Sequence, residues 1–133
     1  MNRIGENSLF INMLKGKIHR ATVTESDLNY IGSLTLDENL MNAAGFGEYE
    51  KIHILDITNG NRIDTYLICG EKGSGKVCIN GAAAHLINKN DLIIIISYCQ
   101  LSETEAKKHS PQIVHVDSYN QIIYKSQEEP IRV

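Results

Sequence analysis

Tryptophan is absent from this 133-residue chain, proline occurs twice and cysteine three times. Cys69, Cys78 and Cys99 form no C-x-x-C pair. That excludes a disulfide framework and gives no spacing for a metal site, so they read as reduced, mostly buried thiols in a cytoplasmic protein. Basic runs are also missing. Lys107-Lys108 is the only adjacent pair of cations and the net charge is −3, so no nucleic-acid footprint is visible. The longest apolar run, Leu92-Ile93-Ile94-Ile95-Ile96, is strand-sized and far below the roughly 20 residues of a membrane span. Leu9-Phe10-Ile11 is too short for the apolar region of a signal peptide.

What remains is a chain of one-domain length, able to bury a real core. Residues 1–12 read as an N-terminal extension, expected to be flexible, with Met13 as a candidate alternative start. Residues 13–124 read as the folded domain and 125–133 as a loose tail.

Short strands dominate. Lys17–Thr24, Ser33–Leu36, Lys51–Thr58, Asn61–Ile68, Lys76–Ile79, Gln112–Val116 and Gln121–Tyr124 carry apolar or β-branched residues interleaved with polar ones. Leu92–Tyr98 is continuously apolar, as a strand buried on both faces would be. Glu25-Ser26-Asp27 breaks the first strand. Asn59-Gly60 predicts a two-residue hairpin turn. Asp37 is the expected N-cap of a helix over Glu38–Ala44 that Gly45 stops. Ser102-Glu103-Thr104-Glu105 is a capping box opening a second helix. Helices this short cannot cover both faces of an open parallel sheet, so the pattern predicts a compact, closed β-barrel.

Gly70-Glu71-Lys72-Gly73-Ser74-Gly75-Lys76 fits G-x-x-x-x-G-K, yet it is not read as a phosphate loop. Val77 stands where a Mg²⁺-binding hydroxyl belongs, and a strand follows where a helix N-terminus should begin. Arg62, Asp64 and Tyr66 alternate onto one strand face, and Thr65 shares the other with Ile63. Such a face is either an amphipathic edge strand or a site in which an arginine grips a carboxylate beside a tyrosine that moves a proton. His19 lies two residues from Lys17 on one strand face.

The bond with the most chemistry in it is Gly32–Ser33, at the mouth of an apolar strand in Leu28-Asn29-Tyr30-Ile31-Gly32-Ser33-Leu34. As a plain dipeptide it is a turn. As a reactive bond, it allows the Ser33 hydroxyl to attack the Gly32 carbonyl and turn the peptide into an ester. Elimination to dehydroalanine and hydrolysis then leave position 33 as a terminal pyruvoyl group, a carbonyl electrophile made from the chain itself.

An ordered set of motifs decides between these readings. Met13-Leu14-Lys15-Gly16-Lys17-Ile18-His19-Arg20-Ala21, Leu28-Asn29-Tyr30-Ile31-Gly32-Ser33, Asn59-Gly60-Asn61-Arg62, Thr65-Tyr66 and Asn80-Gly81-Ala82-Ala83-Ala84-His85 resemble the pyruvoyl-dependent aspartate 1-decarboxylases in order and spacing, from about residue 13 to about residue 120. The resemblance implies a six-stranded double-psi β-barrel. It implies a homotetramer of processed α and β chains with active sites between subunits. It further implies self-cleavage between Gly32 and Ser33, in some relatives with a maturation factor. The activity implied is conversion of L-aspartate to β-alanine and CO₂ for pantothenate synthesis, through a Schiff base on the pyruvoyl group. By the same resemblance Thr65 stabilises the oxyanion of cleavage, Arg62 and Lys17 hold the side-chain carboxylate, and Tyr66 returns the proton, with His19 or water as the alternative donor. Gly81, Ala82 and Ala83 let backbone N–H groups approach the substrate, Asn80 contacts the pyruvoyl carbonyl and Tyr30 lines the pocket. Ile31 stands where many members carry Glu. Two rivals remain: a pyruvoyl decarboxylase for another amino acid, against which two cations argue, and an uncleaved barrel that only binds.

Overall fold

The computed structural model describes residues 9–127, so the expectations for residues 1–8 and for the end of the tail lie outside the described part. The strands are β1 (Phe10–Thr22), β2 (Glu25–Asp27), β3 (Ser33–Asp37), β4 (Lys51–Asp56), β5 (Arg62–Gly70), β6 (Val77–Asn80), β7 (Leu92–Ser102), β8 (Gln112–Val116) and β9 (Ile122–Ser126). Helices α1 (Glu38–Ala44) and α2 (Glu103–Lys107) and a 3₁₀ turn over Gly81–His85 connect them.

The chain is mainly β, as its pattern predicts. Among the described residues the strands number nine, against the six that the resemblance implies, in one sheet ordered β2-β6-β3-β5-β4-β7-β1-β8-β9. The sequence pattern alone marks eight of these strands; the ninth, β2, is a polar segment that pairs through backbone groups and leaves no trace in hydropathy. Glu25–Asp27, expected to break a strand, itself runs parallel to β6, and Ser26 Oγ donates to the Ile87 carbonyl at 2.9 Å. β1 reaches back to Phe10, opposite Ser102. Parallel and antiparallel pairs mix: β3 with β5 and β1 with β8 run parallel, while β3 with β6 and β4 with β5 run antiparallel.

The core follows the alternation. Ile18, Leu34, Leu36, Ile54, Leu67, Ile79, Ile93 and Ile95 are fully buried. The continuous run in β7 is not buried on both faces: Ile93 and Ile95 point into the core, but Leu92, Ile94 and Ile96 are only half-buried. Cys69 likewise is exposed rather than buried.

Local signals place the helices. Asp37 accepts from Asn39 N–H at the start of α1, and Gly45 ends it at φ +74°. The capping box of Ser102 and Glu105 is formed in both directions. Asp37 also accepts from Gly73 N–H at 2.9 Å and Gly75 N–H at 2.8 Å. The glycine-rich loop therefore turns its amides on an internal carboxylate, and β6 follows it. The Asn59-Gly60 connection is wider than two residues, spanning 57–61. Asp56 Oδ1 accepts from Thr58 and Asn59 N–H and its carbonyl from Gly60 N–H at 2.8 Å. Those bonds wind a looser turn than a two-residue hairpin allows.

Candidate active site

The Gly32–Ser33 bond sits where an exposed loop becomes a buried strand. Tyr30 and Ile31 are exposed, Gly32 is half-buried, and Ser33 is 2% exposed. Ser33 lies opposite Asn80 and Thr35 opposite Cys78 in the β3–β6 ladder. Because residues i and i+2 share a strand face, these four polar side chains form one cluster while Leu34 and Ile79 enter the core. Asn80, itself 2% exposed, donates from Nδ2 to Ser33 Oγ at 3.1 Å and to Thr35 Oγ1 at 2.9 Å.

Gly81 follows at φ +74°, and a Cβ there would stand 2.6 Å from Gly32 Cα and 2.7 Å from Gly32 N. Only glycine fits, for both the backbone conformation and the contact. The 3₁₀ turn is thereby pressed against the residue that precedes Ser33.

Beside this contact a cavity of about 430 Å³ is lined by Gly32, Ile63, Asp64, Thr65, Tyr66, Asn80, Ala82, Ala83 and Leu86. Six residues singled out in the sequence thus share one wall system: Gly32, Thr65, Tyr66, Asn80, Ala82 and Ala83. The turn that carries the alanines is held from outside. Asn59 Nδ2 and Asn61 Nδ2 both donate to the Leu86 carbonyl, at 2.9 and 2.8 Å.

Arg62, Lys17 and His19 are not among the lining residues. Arg62 is exposed at the start of β5. The ladder rows place Lys17 across from Ile96, His53 and Asp64 in turn, so β1 and β5 are three strand spacings apart, roughly 14 Å. The expectation that Arg62 and Lys17 grip one carboxylate is not met within a single chain, since sequence cannot tell which strands are neighbours. His19 packs its ring edge-on against His115, centroids 5.3 Å apart. Tyr30 lines a separate cavity of about 630 Å³ on the other side of Asn80, with Glu25, Asp27, Thr35, Cys69 and Cys78 among its walls.

Sequence reasoning put Asp64 on the candidate face with Tyr66 but gave it no role, and it missed Cys78 as part of the Ser33 cluster. Asp64, on the cavity wall, lies 2.7 Å from His53 Nε2 and 3.5 Å from Lys51 Nζ. Exposed pairs of this kind add little stability. For Cys78 the signal was the spacing Cys78-Ile79-Asn80, which puts the thiol on the same face as the amide.

Comparison with known proteins matches the family model described as aspartate decarboxylase over residues 9–123. A Corynebacterium efficiens protein named aspartate 1-decarboxylase is 59% identical over 111 residues, 84% of this chain and 82% of the relative. Proteins of the same name from Clostridium botulinum (59% over 112 residues, 84% and 88% of the two chains) and Caldicellulosiruptor bescii (55% over 121 residues, 91% and 94%) are similarly close.

Proposed function

The chain belongs to the aspartate decarboxylase family, lyases that release CO₂ from L-aspartate to leave β-alanine, the precursor used in pantothenate synthesis, and we propose how its own residues carry that reaction. The carrying observation is Ser33 Oγ, buried and held by Asn80 directly after a glycine at the loop-to-strand step. The surroundings fit a small carbonyl group at position 33. Gly32 and Gly81 present bare backbone to one another, Asn80 offers an amide donor, and the cavity begins at Gly32.

Ser33 Oγ attacks the Gly32 carbonyl and the C–N bond gives way to an ester; β-elimination, with loss of the Ser33 α-proton, releases residues 1–32 as a carboxylate and leaves a dehydroalanine at position 33, which water hydrolyses to the pyruvoyl group with release of ammonia. Thr65, which lines the same cavity as Gly32, donates to the oxyanion of that attack. The pyruvoyl group supplies an electron sink for the carbon that loses CO₂. Ala82 and Ala83 bring backbone close to the substrate without bulk. Tyr66, whose phenol O–H lies on the cavity wall, returns the proton. Arg62 binds the side-chain carboxylate bidentately, with Lys17 assisting.

The separation of Lys17 from the cavity supports a homotetramer in which neighbouring chains complete each site. The outer face of β5, β4, β7 and β1 supports it too: half-buried Leu55, Ile94 and Ile96 lie among Arg62, His53 and Tyr98. We propose a closed double-psi barrel at the core. Asn120, after β8, donates to Gly75 and Thr22 carbonyls at 2.8 and 2.9 Å, tying the far end of the sheet to the approach to β6. The free thiols favour the cytoplasm, and no helix among the described residues is long and apolar enough to cross a membrane.

The test is β-alanine formation from L-aspartate. The wild-type chain forms it with stoichiometric CO₂, and Ser33→Ala forms none and stays full length. Turnover of a different amino acid in place of aspartate would overturn the substrate assignment, and cleavage of Ser33→Ala would overturn the chemistry.

A further inference from the structure

Asn80 can serve Ser33 in two ways, depending on which end of its carboxamide faces the hydroxyl. With Nδ2 toward β3, Ser33 Oγ accepts a hydrogen bond and its own proton is uncommitted. With Oδ1 toward β3, the Ser33 hydroxyl would have to donate to Asn80, tying up the proton that must leave. During the acyl shift the Oγ–carbonyl bond forms, the Gly32–Ser33 C–N bond breaks, and the hydroxyl proton ends on the Ser33 nitrogen. Only the first orientation leaves that proton ready to move, and no oxidant or co-reactant is required.

Ser33 and Thr35 cannot choose between the two, because a hydroxyl both donates and accepts. The choice falls to the group on the other side of the amide. Cys78 Sγ lies 3.1 Å from Asn80 Oδ1, with Glu25 Oε2 as its other acceptor at 4.0 Å. Cys78 and Asn80 are two residues apart on β6 and face the Ser33–Thr35 side of the ladder. Resting on the reading that Gly32–Ser33 cleaves itself, we propose that Cys78 is a positioning residue for cleavage: by donating its S–H to Asn80 Oδ1, it keeps the amide nitrogen on Ser33 Oγ.

The thiol's surroundings keep it a donor. Burial pushes its pKa up, the Glu25 carboxylate adds to this, Lys76 opposes it and Asp27 reinforces it. A thiolate would instead accept from Nδ2 and turn the amide the wrong way. Thr35, on the same face, completes the arrangement by taking the second N–H of Asn80, so every polar atom of the carboxamide is engaged.

The experiment follows cleavage of freshly synthesised full-length chain over time by denaturing mass spectrometry, with thermal unfolding of each variant measured alongside. Cys78→Ser keeps a donor and should cleave within about threefold of wild type. Cys78→Val and the smaller Cys78→Ala remove it and should cleave about tenfold more slowly, the effect of roughly one hydrogen bond. A merely structural role would follow melting temperature across the three variants; a positioning role follows donor capacity. Wild-type rates in both donor-free variants, or equal slowing in Cys78→Ser, would overturn the proposal while leaving self-cleavage intact. A wild-type chain that never cleaves would overturn both.

Discussion

The β3–β6 ladder and the outer face of β5, β4, β7 and β1 both carry residues of the site, but they are built differently. Around Ser33 the polar atoms are buried and consecutively hydrogen-bonded, from Cys78 through Asn80 to Ser33 and Thr35. On the outer face Arg62 is exposed, Tyr66 is 37% exposed and Lys17 stands three strands away. The lesson is a division of labour. The cluster around Ser33 is buried within one ladder, whereas the cations expected to meet aspartate lie apart on the outer face, Arg62 exposed at its edge. Cleavage and turnover should therefore separate under mutation.

Removing the nucleophile breaks both halves together. Ser33→Ala abolishes cleavage and β-alanine formation, and a variant retaining either would erase the distinction. Arg62→Ala sharpens it. Truncating one partner of a charge pair that bound substrate buries costs about 2–5 kcal/mol, so kcat/KM for aspartate should fall at least roughly 30-fold while the two fragments still appear at the wild-type rate. Slowed cleavage in Arg62→Ala would place Arg62 in the wrong half. Tyr66→Phe should lose about 10²-fold in kcat, the usual worth of a positioned general acid, again with cleavage unchanged. Turnover at the wild-type rate would shift the proton to water or His19.

The smallest expected effect lies in the turn that braces the cavity. Asp56, 3% exposed, has its carboxyl pushed up to about 6, by burial first and then by the neighbouring Asp91 carboxyl. A raised acid holds its proton in the folded state where the unfolded chain has lost it. Its contribution is therefore fully present below about pH 4 and is lost as pH rises through about 6. Asp56→Asn keeps an acceptor for Thr58 and Asn59 N–H and offers Asp91 a donor. It should stabilise the chain by about 1 kcal/mol at pH 8 and flatten its loss of melting temperature between pH 5 and 8. An unchanged pH dependence would remove Asp56 from the account.

Much of this was legible in the sequence because local chemistry dictated it. Asp37 and Gly45 bracket α1, Ser102 and Glu105 cap α2, and a strand rather than a helix follows the loop through Gly73 and Gly75. That Asp37 would also hold that loop was not legible, because the two are brought together only by folding. β2 was hidden because a three-residue polar strand pairs through its backbone. The neighbours of Arg62 and Lys17 were hidden because strand order is not written in periodicity. Cys78 was overlooked because a lone cysteine reads as packing until its strand partner is known.

The central claim is tested most directly by the mass of the purified protein under denaturing conditions. The account predicts two fragments that divide after Gly32, the larger beginning at position 33 with a pyruvoyl group in place of serine. Fragments that appear only after addition of cell extract would mark a helper protein for the same cleavage. A single unbroken chain that nonetheless converts aspartate to β-alanine would contradict it.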